Sequence, residues 1–360
     1  VIVVVKVGTS SITDDAGEID DAALVKLSDE VAAAHAEGHQ VVLVSSGAIA
    51  AGLPALGFVT RPTDLGVLQA VAAIGQPRLI ERYSAILSGR GVIAAQVLLT
   101  PHDFIQRSQY LHARETLAQL LALRVVPIVN ENDTVADDEI RYGDNDRLAA
   151  LVAHLVGADL LVLLTDTPGL FTADPRLDEQ ASLIEEIVEV DEALEGVAGG
   201  AGSERGSGGM ASKLAAAKIA AWSGVRAVIA GAAEPGVVLD AIAGRPVGTA
   251  IRPRDRRLAS RKLWIAFAQA ASGRIVVDEG ARAALVDGGR SLLPAGVREV
   301  EGEFAADDAV EIVAGGKVFA KGLVQCAAAQ LRAVAGLRTG DLPEGVAHEV
   351  VHRDDLVVLP

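Results

Sequence analysis

The chain of 360 residues is half apolar, only 3% aromatic, and carries a formal net charge of −16. That composition excludes a disordered or fibrous chain and argues against broad, non-specific binding to nucleic acid or anionic lipid. Cys326 is the sole cysteine, so no internal disulfide can form, zinc-ligand spacing is absent, and a reducing, cytoplasmic setting is expected.

Strand and helix signals alternate from the first residue. VIVVVKVGTS (Val1–Ser10) reads as a strand running into a glycine turn. Leu24, Leu27, Val31 and Ala34 then share one helical face, and Gly38 supplies a stop. A strand at Val41–Ser45 leads to a helix opening at Gly47. Leu65–Leu87 is helical by pattern, with an interruption expected near Gly75 and Pro77. Val92–Leu99, Val125–Asn130, Leu160–Thr165 and Arg226–Ala230 follow as predicted strands. Between and after them, Arg107–Leu123, Asp146–Val156, Ala211–Ser223 and Gly236–Ala243 are predicted helices. This alternation predicts an α/β fold with a mostly parallel sheet covered on both faces. The longest apolar region, Leu148–Leu164, is broken by His154 and Asp159 and is too interrupted to span a bilayer. The chain starts in a strand without Met, so a few residues are expected to precede Val1, and no signal peptide is visible in this numbering.

The pattern changes at IRPRDRRLASRK (Ile251–Lys262), a basic, proline-bearing stretch. Residues 1–251 are expected to form the αβ domain, 252–262 a basic linker, and 263–360 a small β-barrel-like domain. Short alternating runs such as RIVVDEGA and AVEIVAGGKVFAKGLV support the last assignment, with one helix near Ala327–Ala335.

In an open parallel sheet, ligands bind outside the carboxyl ends of the strands. Six polar clusters fall at such ends or at helix starts, and their amides, ammonium groups and carboxylates suit a phosphate-bearing ligand. Lys6 closes an otherwise apolar strand, where packing explains it poorly, although a strand-end lysine can also snorkel to water. SSGAIAAG (Ser45–Gly52) joins strand to helix through small residues. A tight turn accounts for it equally well, and no GxxxxGK[ST] phosphate loop occurs in the chain. Asn130–Asp133 and Gly143–Asp146 gather groups able to hold an ammonium and orient a lysine; turn and N-cap chemistry favours the same residue types. Thr165 and Asp166 begin a turn where a nucleotide base and ribose could rest. GSGGMASK puts Lys213 just inside a helix, where an ammonium opposes the macrodipole unless an anion compensates. A nucleotide phosphate is the compensator this pattern suggests.

The series KVGTS, VSSGAIAAG, NENDTV, GDND, LLTDTPGLFTADP and GGMASK resembles the amino acid kinase family, and within it the glutamate 5-kinase branch. The tail GRIVVDEGARAALVDGGRSLLPAGV resembles the PUA domain carried by many bacterial members of that branch. The resemblance covers essentially the whole chain. It implies a three-layer αβα amino acid kinase sandwich followed by a PUA domain. It further implies ATP-dependent phosphorylation of the L-glutamate side-chain carboxylate, the first step of proline biosynthesis, with proline as feedback inhibitor. By position, Ser46, Gly47, Asp133 and Asn145 would bind glutamate, and Gly47 would also offer its amide near the phosphates. Lys6 and Lys213 would stabilise the migrating phosphoryl group, with Asp146 organising them. Lys6, Gly8, Thr9, Thr165, Asp166, Ser207, Gly208, Gly209, Met210, Ala211, Ser212 and Lys213 would contact ATP. Ser207 and Ala211 depart mildly from the residues expected there.

A carboxylate is already a nucleophile, so such a reaction needs positioning and charge stabilisation rather than a general base. That fits a chain in which His35, His102, His112 and His154 read as surface or packing residues. Mg²⁺ would be held mainly by ATP phosphates and water, with no protein metal site. By the same resemblance the chain would form a homo-oligomer, dimer or tetramer, and hand its labile product to a glutamyl phosphate reductase. The alternative acceptors are those of other amino acid kinases. PUA domains also occur in RNA-binding proteins. However, Lys262–Pro360 holds ten Lys/Arg against fourteen Asp/Glu, and Trp264, Phe267, Phe304 and Phe319 are its only aromatics, so RNA binding is not expected.

Overall fold

Apolar runs rich in Val, Ile, Leu and Ala form most strands of the first part of the chain, as buried parallel strands require. The computed structural model describes residues 1–104, 106–135, 145–173, 175, 178, 180–191, 194–196, 209–255, 257–268, 271–343 and 347–359. Two compact units emerge, Val1–Arg257 and Leu258–Pro360.

The first unit holds strands β1 (Ile2–Val7), β2 (Gln40–Ser45), β3 (Ala94–Leu99), β4 (Val126–Glu131), β5 (Leu160–Thr165), β6 (Glu186–Ile187), β7 (Arg226–Gly231) and β8 (Thr249–Ile251). They make one eight-stranded sheet in the order β3-β4-β2-β1-β5-β7-β8-β6. Pairing is parallel from β3 across to β7; β8 runs antiparallel to β7, and β6 runs parallel to β8. From β1 the chain moves to β2 and β4 on one side and later to β5 and β7 on the other. The carboxyl ends of β2, β1 and β5 therefore flank a topological switch point, the crevice where this class of sheet takes its ligands.

Helices α1 (Asp21–Ala36), α2 (Ala48–Gly52), α3 (Leu65–Ser88), α4 (Arg107–Ala122), α5 (Asp146–Val156), α6 (Met210–Trp222) and α7 (Val237–Ala243) accompany these strands. On one face Leu24 and Val31 of α1, Leu79 and Tyr83 of α3 and Val238 of α7 pack over Val3, Val5, Leu43, Ile128 and Val162. Contrary to the expected interruption, α3 is one helix of 24 residues that passes through Pro77. Tertiary packing overrides the proline. A Cβ on Gly75 would fall 1.8 Å from the Ala48 carbonyl oxygen, and one on Gly52 would fall 2.1 Å from that of Val71. These glycines let α2 lie against the backbone of α3, and that contact holds the helix across the hydrogen bond Pro77 cannot donate.

The division between units falls inside the 252–262 segment. Arg252 makes a two-pronged ion pair with Glu186, both bonds 2.7 Å long, and the Arg254 guanidinium stacks 4.3 Å from the Trp222 ring centre. These contacts hold the start of the segment on the first unit.

In the second unit β9 (Gly273–Val277), β10 (Val297–Gly302), β11 (Ala309–Ala314), β12 (Lys317–Val324) and β13 (Val351–Val358) form a sheet in the order β10-β9-β11-β12-β13. Only the β9–β11 pairing is parallel. Ile275, Val310, Ile312, Phe319, Leu331 and Val351 make its core. Among the described residues, no helix is long and apolar enough to cross a membrane.

Candidate active site

Successive residues at the start of α5 organise the crevice. Asp146, the first helical residue, is fully buried at the switch point. Its Oδ1 takes the ammonium of Lys6, near the end of β1. Its Oδ2 accepts from Lys213 Nζ at 3.2 Å and from Ser212 Oγ at 2.8 Å, both in the first turns of α6. Lys6 is 2% exposed and Lys213 5%. Neither is a snorkelling lysine. Burying such a charge is tolerable only with a close counter-charge, and one carboxylate serves both ammonium groups. The anion expected to offset Lys213 at the α6 N-terminus is thus supplied by the protein itself.

Asn145, the residue before, occupies the N-cap position of α5, yet its side chain caps nothing. Its Nδ2 instead donates to the Ser45 carbonyl at 2.7 Å and to Asn130 Oδ1 at 2.6 Å. Ser46, at the end of β2, is buried, and its hydroxyl finds no hydrogen-bond partner among the described residues. An orphaned buried hydroxyl is unusual and suits a group completed by ligand. Asp133 follows β4 and is half-buried. Loss of solvent pushes its carboxyl up to about 6, and the nearby charge of Arg61 offsets only part of that. Burial lowers the Arg61 guanidinium in turn, against the pull of Asp133.

Gly47 has φ of 102°, the left-handed region, and a Cβ there would meet Ile12 Cδ1 at 2.8 Å, so backbone geometry alone requires glycine. Gly8 follows β1 beside Lys6: a Cβ on it would lie 3.7 Å from the lysine Nζ. Thr9 begins a short 3₁₀ turn, Thr9–Ser11. On the other side of β1, Thr165 closes β5 and donates to Asp166 Oδ1 at 3.0 Å. Gly209 caps α6, whose first residues are Met210 and Ala211. Ser207 and Gly208, with Gly143 and Asp144, lie outside the described residues. Direct bonds therefore unite Lys6, Asp146, Ser212 and Lys213, and separately Asn145 with its neighbours. Among the described residues, Thr165 and Asp166 share no side-chain bond with either group.

The model of the amino acid kinase family matches residues 1–231, and the PUA domain model matches 273–345. The chain belongs to the amino acid kinase family. Relatives named glutamate 5-kinase agree along its length. The one from Burkholderia multivorans is 45% identical over 361 residues, covering 99% of this chain and 97% of its own. The one from Herpetosiphon aurantiacus is 47% identical over 360 residues, with the same two coverages. Among solved structures, UMP kinase from Ureaplasma parvum matches with a TM-score of 0.48 at 12% identity, covering 70% of this chain and 98% of its own. As an amino acid kinase the protein is a phosphotransferase with ATP as co-substrate.

Several residues joined to the candidate site escaped the sequence. Gln76 and Tyr83 lie in α3, and Arg61 precedes it. Tyr83 OH meets Ser45 Oγ at 3.0 Å, and Asn130 Nδ2 donates to Gln76 Oε1 at 2.7 Å. One signal was available for Gln76: a carboxamide between Gly75 and Pro77 within an otherwise apolar helix face. Tyr83 and Arg61 gave none.

Proposed function

We propose that the protein transfers the γ-phosphoryl group of ATP to the side-chain carboxylate of L-glutamate, opening proline biosynthesis. The observation that carries the phosphoryl-transfer chemistry is the buried cluster of two ammonium groups on one carboxylate at the switch point. The choice of glutamate is supported by full-length relatives of that name and by the presence of Ser46, Asp133 and Asn145 on the β2/β4 side of the cluster.

A glutamate carboxylate oxygen attacks the γ-phosphorus, the bond from phosphorus to the β,γ-bridging oxygen breaks, and ADP leaves. No proton moves, so no base is needed. Lys6 and Lys213 carry between them one positive charge more than Asp146 neutralises, and that excess meets the charge on the transferring group. Ser212 and Lys213 hold Asp146 from α6, with Gly8, Thr9, Gly47 and Gly209 bringing backbone close to the phosphates. Thr165, Asp166 and the 207–213 segment hold the nucleotide. Asp133 and the Asn145 carboxamide oxygen receive the substrate ammonium, and Ser46 donates to a carboxylate. Mg²⁺ would be held mainly by the ATP phosphates and water. Both Asp146 oxygens are already engaged, and among the described residues no three His, Cys, Asp or Glu side chains gather as a cage. So held by the phosphates, the ion would supply further neutralisation of negative charge. Proline as a competing inhibitor, a cytoplasmic homo-oligomer and a reductase that consumes the acyl phosphate belong to the same reading.

The test is ATP- and Mg²⁺-dependent formation of glutamyl hydroxamate in the presence of glutamate and hydroxylamine, with and without proline. Signal with another acceptor and silence with glutamate would keep the kinase and replace the substrate.

A further inference from the structure

Three carboxamides form a continuous buried chain behind the acceptor side of the site. Gln76, Asn130 and Asn145 are 9%, 2% and 5% exposed. Asn145 Nδ2 donates to the Ser45 carbonyl at 2.7 Å and to Asn130 Oδ1 at 2.6 Å. Asn130 Oδ1 also accepts from the Glu131 amide at 2.9 Å, while its Nδ2 donates to Gln76 Oε1 at 2.7 Å. The direction of this chain is fixed by the main chain at two points. A carbonyl oxygen can only accept, so Asn145 must turn its nitrogen to Ser45. A backbone amide can only donate, so Asn130 must turn its oxygen to Glu131. The Asn130 nitrogen then faces Gln76, which meets one of its two N–H groups with oxygen. Both N–H groups of Asn145 are thereby committed inside the protein, and only Oδ1 remains to meet a ligand. It can accept and cannot donate.

We propose that Gln76, acting through Asn130, is a positioning residue that selects acceptors bearing a free α-ammonium group. This rests on the glutamate-kinase reading. An acceptor-only carboxamide welcomes a cationic donor and gives little to an acceptor whose amine is acylated or missing. Removing the Gln76 oxygen leaves a buried Asn130 N–H unsatisfied, and Asn130 can recover a partner only by turning, which releases Asn145. The consequence belongs to the acceptor. Among the described residues the Lys6–Asp146–Lys213 cluster shares no hydrogen bond with Gln76, so ATP recognition is expected to stay as it is.

The experiment compares wild type, Gln76→Leu and Gln76→Glu in the full chain, with glutamate, N-acetylglutamate and glutarate as acceptors at saturating ATP. Gln76→Leu is expected to raise the glutamate KM about tenfold or more, leave the ATP KM within about twofold, and shrink the kcat/KM preference for glutamate over N-acetylglutamate about tenfold. Gln76→Glu, which keeps an oxygen facing Asn130, is expected to restore the preference. An unchanged glutamate KM in Gln76→Leu overturns the proposal, as does a parallel rise in both KM values. If the leucine variant does not fold, loss of the preference in Gln76→Glu overturns it alone. Wild type inactive on glutamate but active on another free amino acid would sink the substrate assignment instead, and the same variants would then be read with that acceptor.

Discussion

Lys213 and Asp133 carry charge out of solvent, the first offset by Asp146 and the second only in part by Arg61. Lys213→Ala removes one of the two ammonium groups on Asp146. The expected result is a fall in kcat of about 10²–10³-fold with a much smaller change in glutamate KM, measured by steady-state kinetics. An unaltered kcat would remove Lys213 from the transition state. At Asp133 the carboxyl is raised to about 6 because solvent is excluded. Its charged form therefore exists above about pH 6, and glutamate KM is expected to climb as pH falls through that value while ATP KM stays level. The stability sign runs the other way. A carboxyl raised in the folded state favours folding while protonated, and that advantage is lost as pH rises from its ordinary value through about 6. Asp133→Asn is thus expected to raise Tm above pH 6, by a free energy of about 1–2 kcal/mol once screening is discounted, with no gain near pH 4. It should weaken glutamate binding at the same time. Lys6 and Lys213 stood out in the sequence because a charge at the end of an apolar strand or the start of a glycine-led helix is poorly explained by packing. Asp146 as their common partner came only from the family resemblance, since nothing local joins positions 6, 146 and 213 and N-cap chemistry explained the aspartate as well. Asn145 stood open between cap and ligand, and only its bonds to Ser45 and Asn130 decide against the cap.

Helix α3 connects residue chemistry to the sheet. Its glycine seats the carbonyl of Ala48, its Gln76 props Asn130 of β4, and its Tyr83 reaches Ser45 of β2. Gly75→Ala would drive a methyl group into that carbonyl, which neither helix can yield easily. A loss of about 3 kcal/mol is expected, seen as a lower urea midpoint with an unchanged m-value. If stability holds, the α2–α3 contact is looser than its geometry implies. Element positions were largely visible beforehand: helix Asp146–Val156 and strand Leu160–Thr165 fall where periodicity puts them. The continuity of α3 through Pro77 was not, because the packing that overrides the proline comes from a segment more than twenty residues away in sequence.

At the scale of the whole chain, two units carry separate apolar cores, and every described residue assigned to phosphoryl transfer lies in the first. A non-hydrolysable ATP analogue at a hundred times its Kd is expected to stabilise the Val1–Arg257 unit by about 2.7 kcal/mol. In calorimetry this should move one transition upward and leave that of Leu258–Pro360 in place. Coincident movement of all the unfolding heat would mean that the units melt as one. The change of pattern near Ile251 announced a second domain, but not that Arg252 and Arg254 would bind Glu186 and the Trp222 ring, because both partners are distant in sequence.

Asn145 and Asp146 are neighbours along the chain, yet they serve opposite sides of the crevice, one joined to β2 and β4, the other to β1 and α6. Descent with modification can therefore act on one side at a time. On the proposed function, a change at Gln76, Asn130 or Ser46 is expected to alter which acceptor is taken while the adjacent aspartate leaves the handling of phosphate as it was.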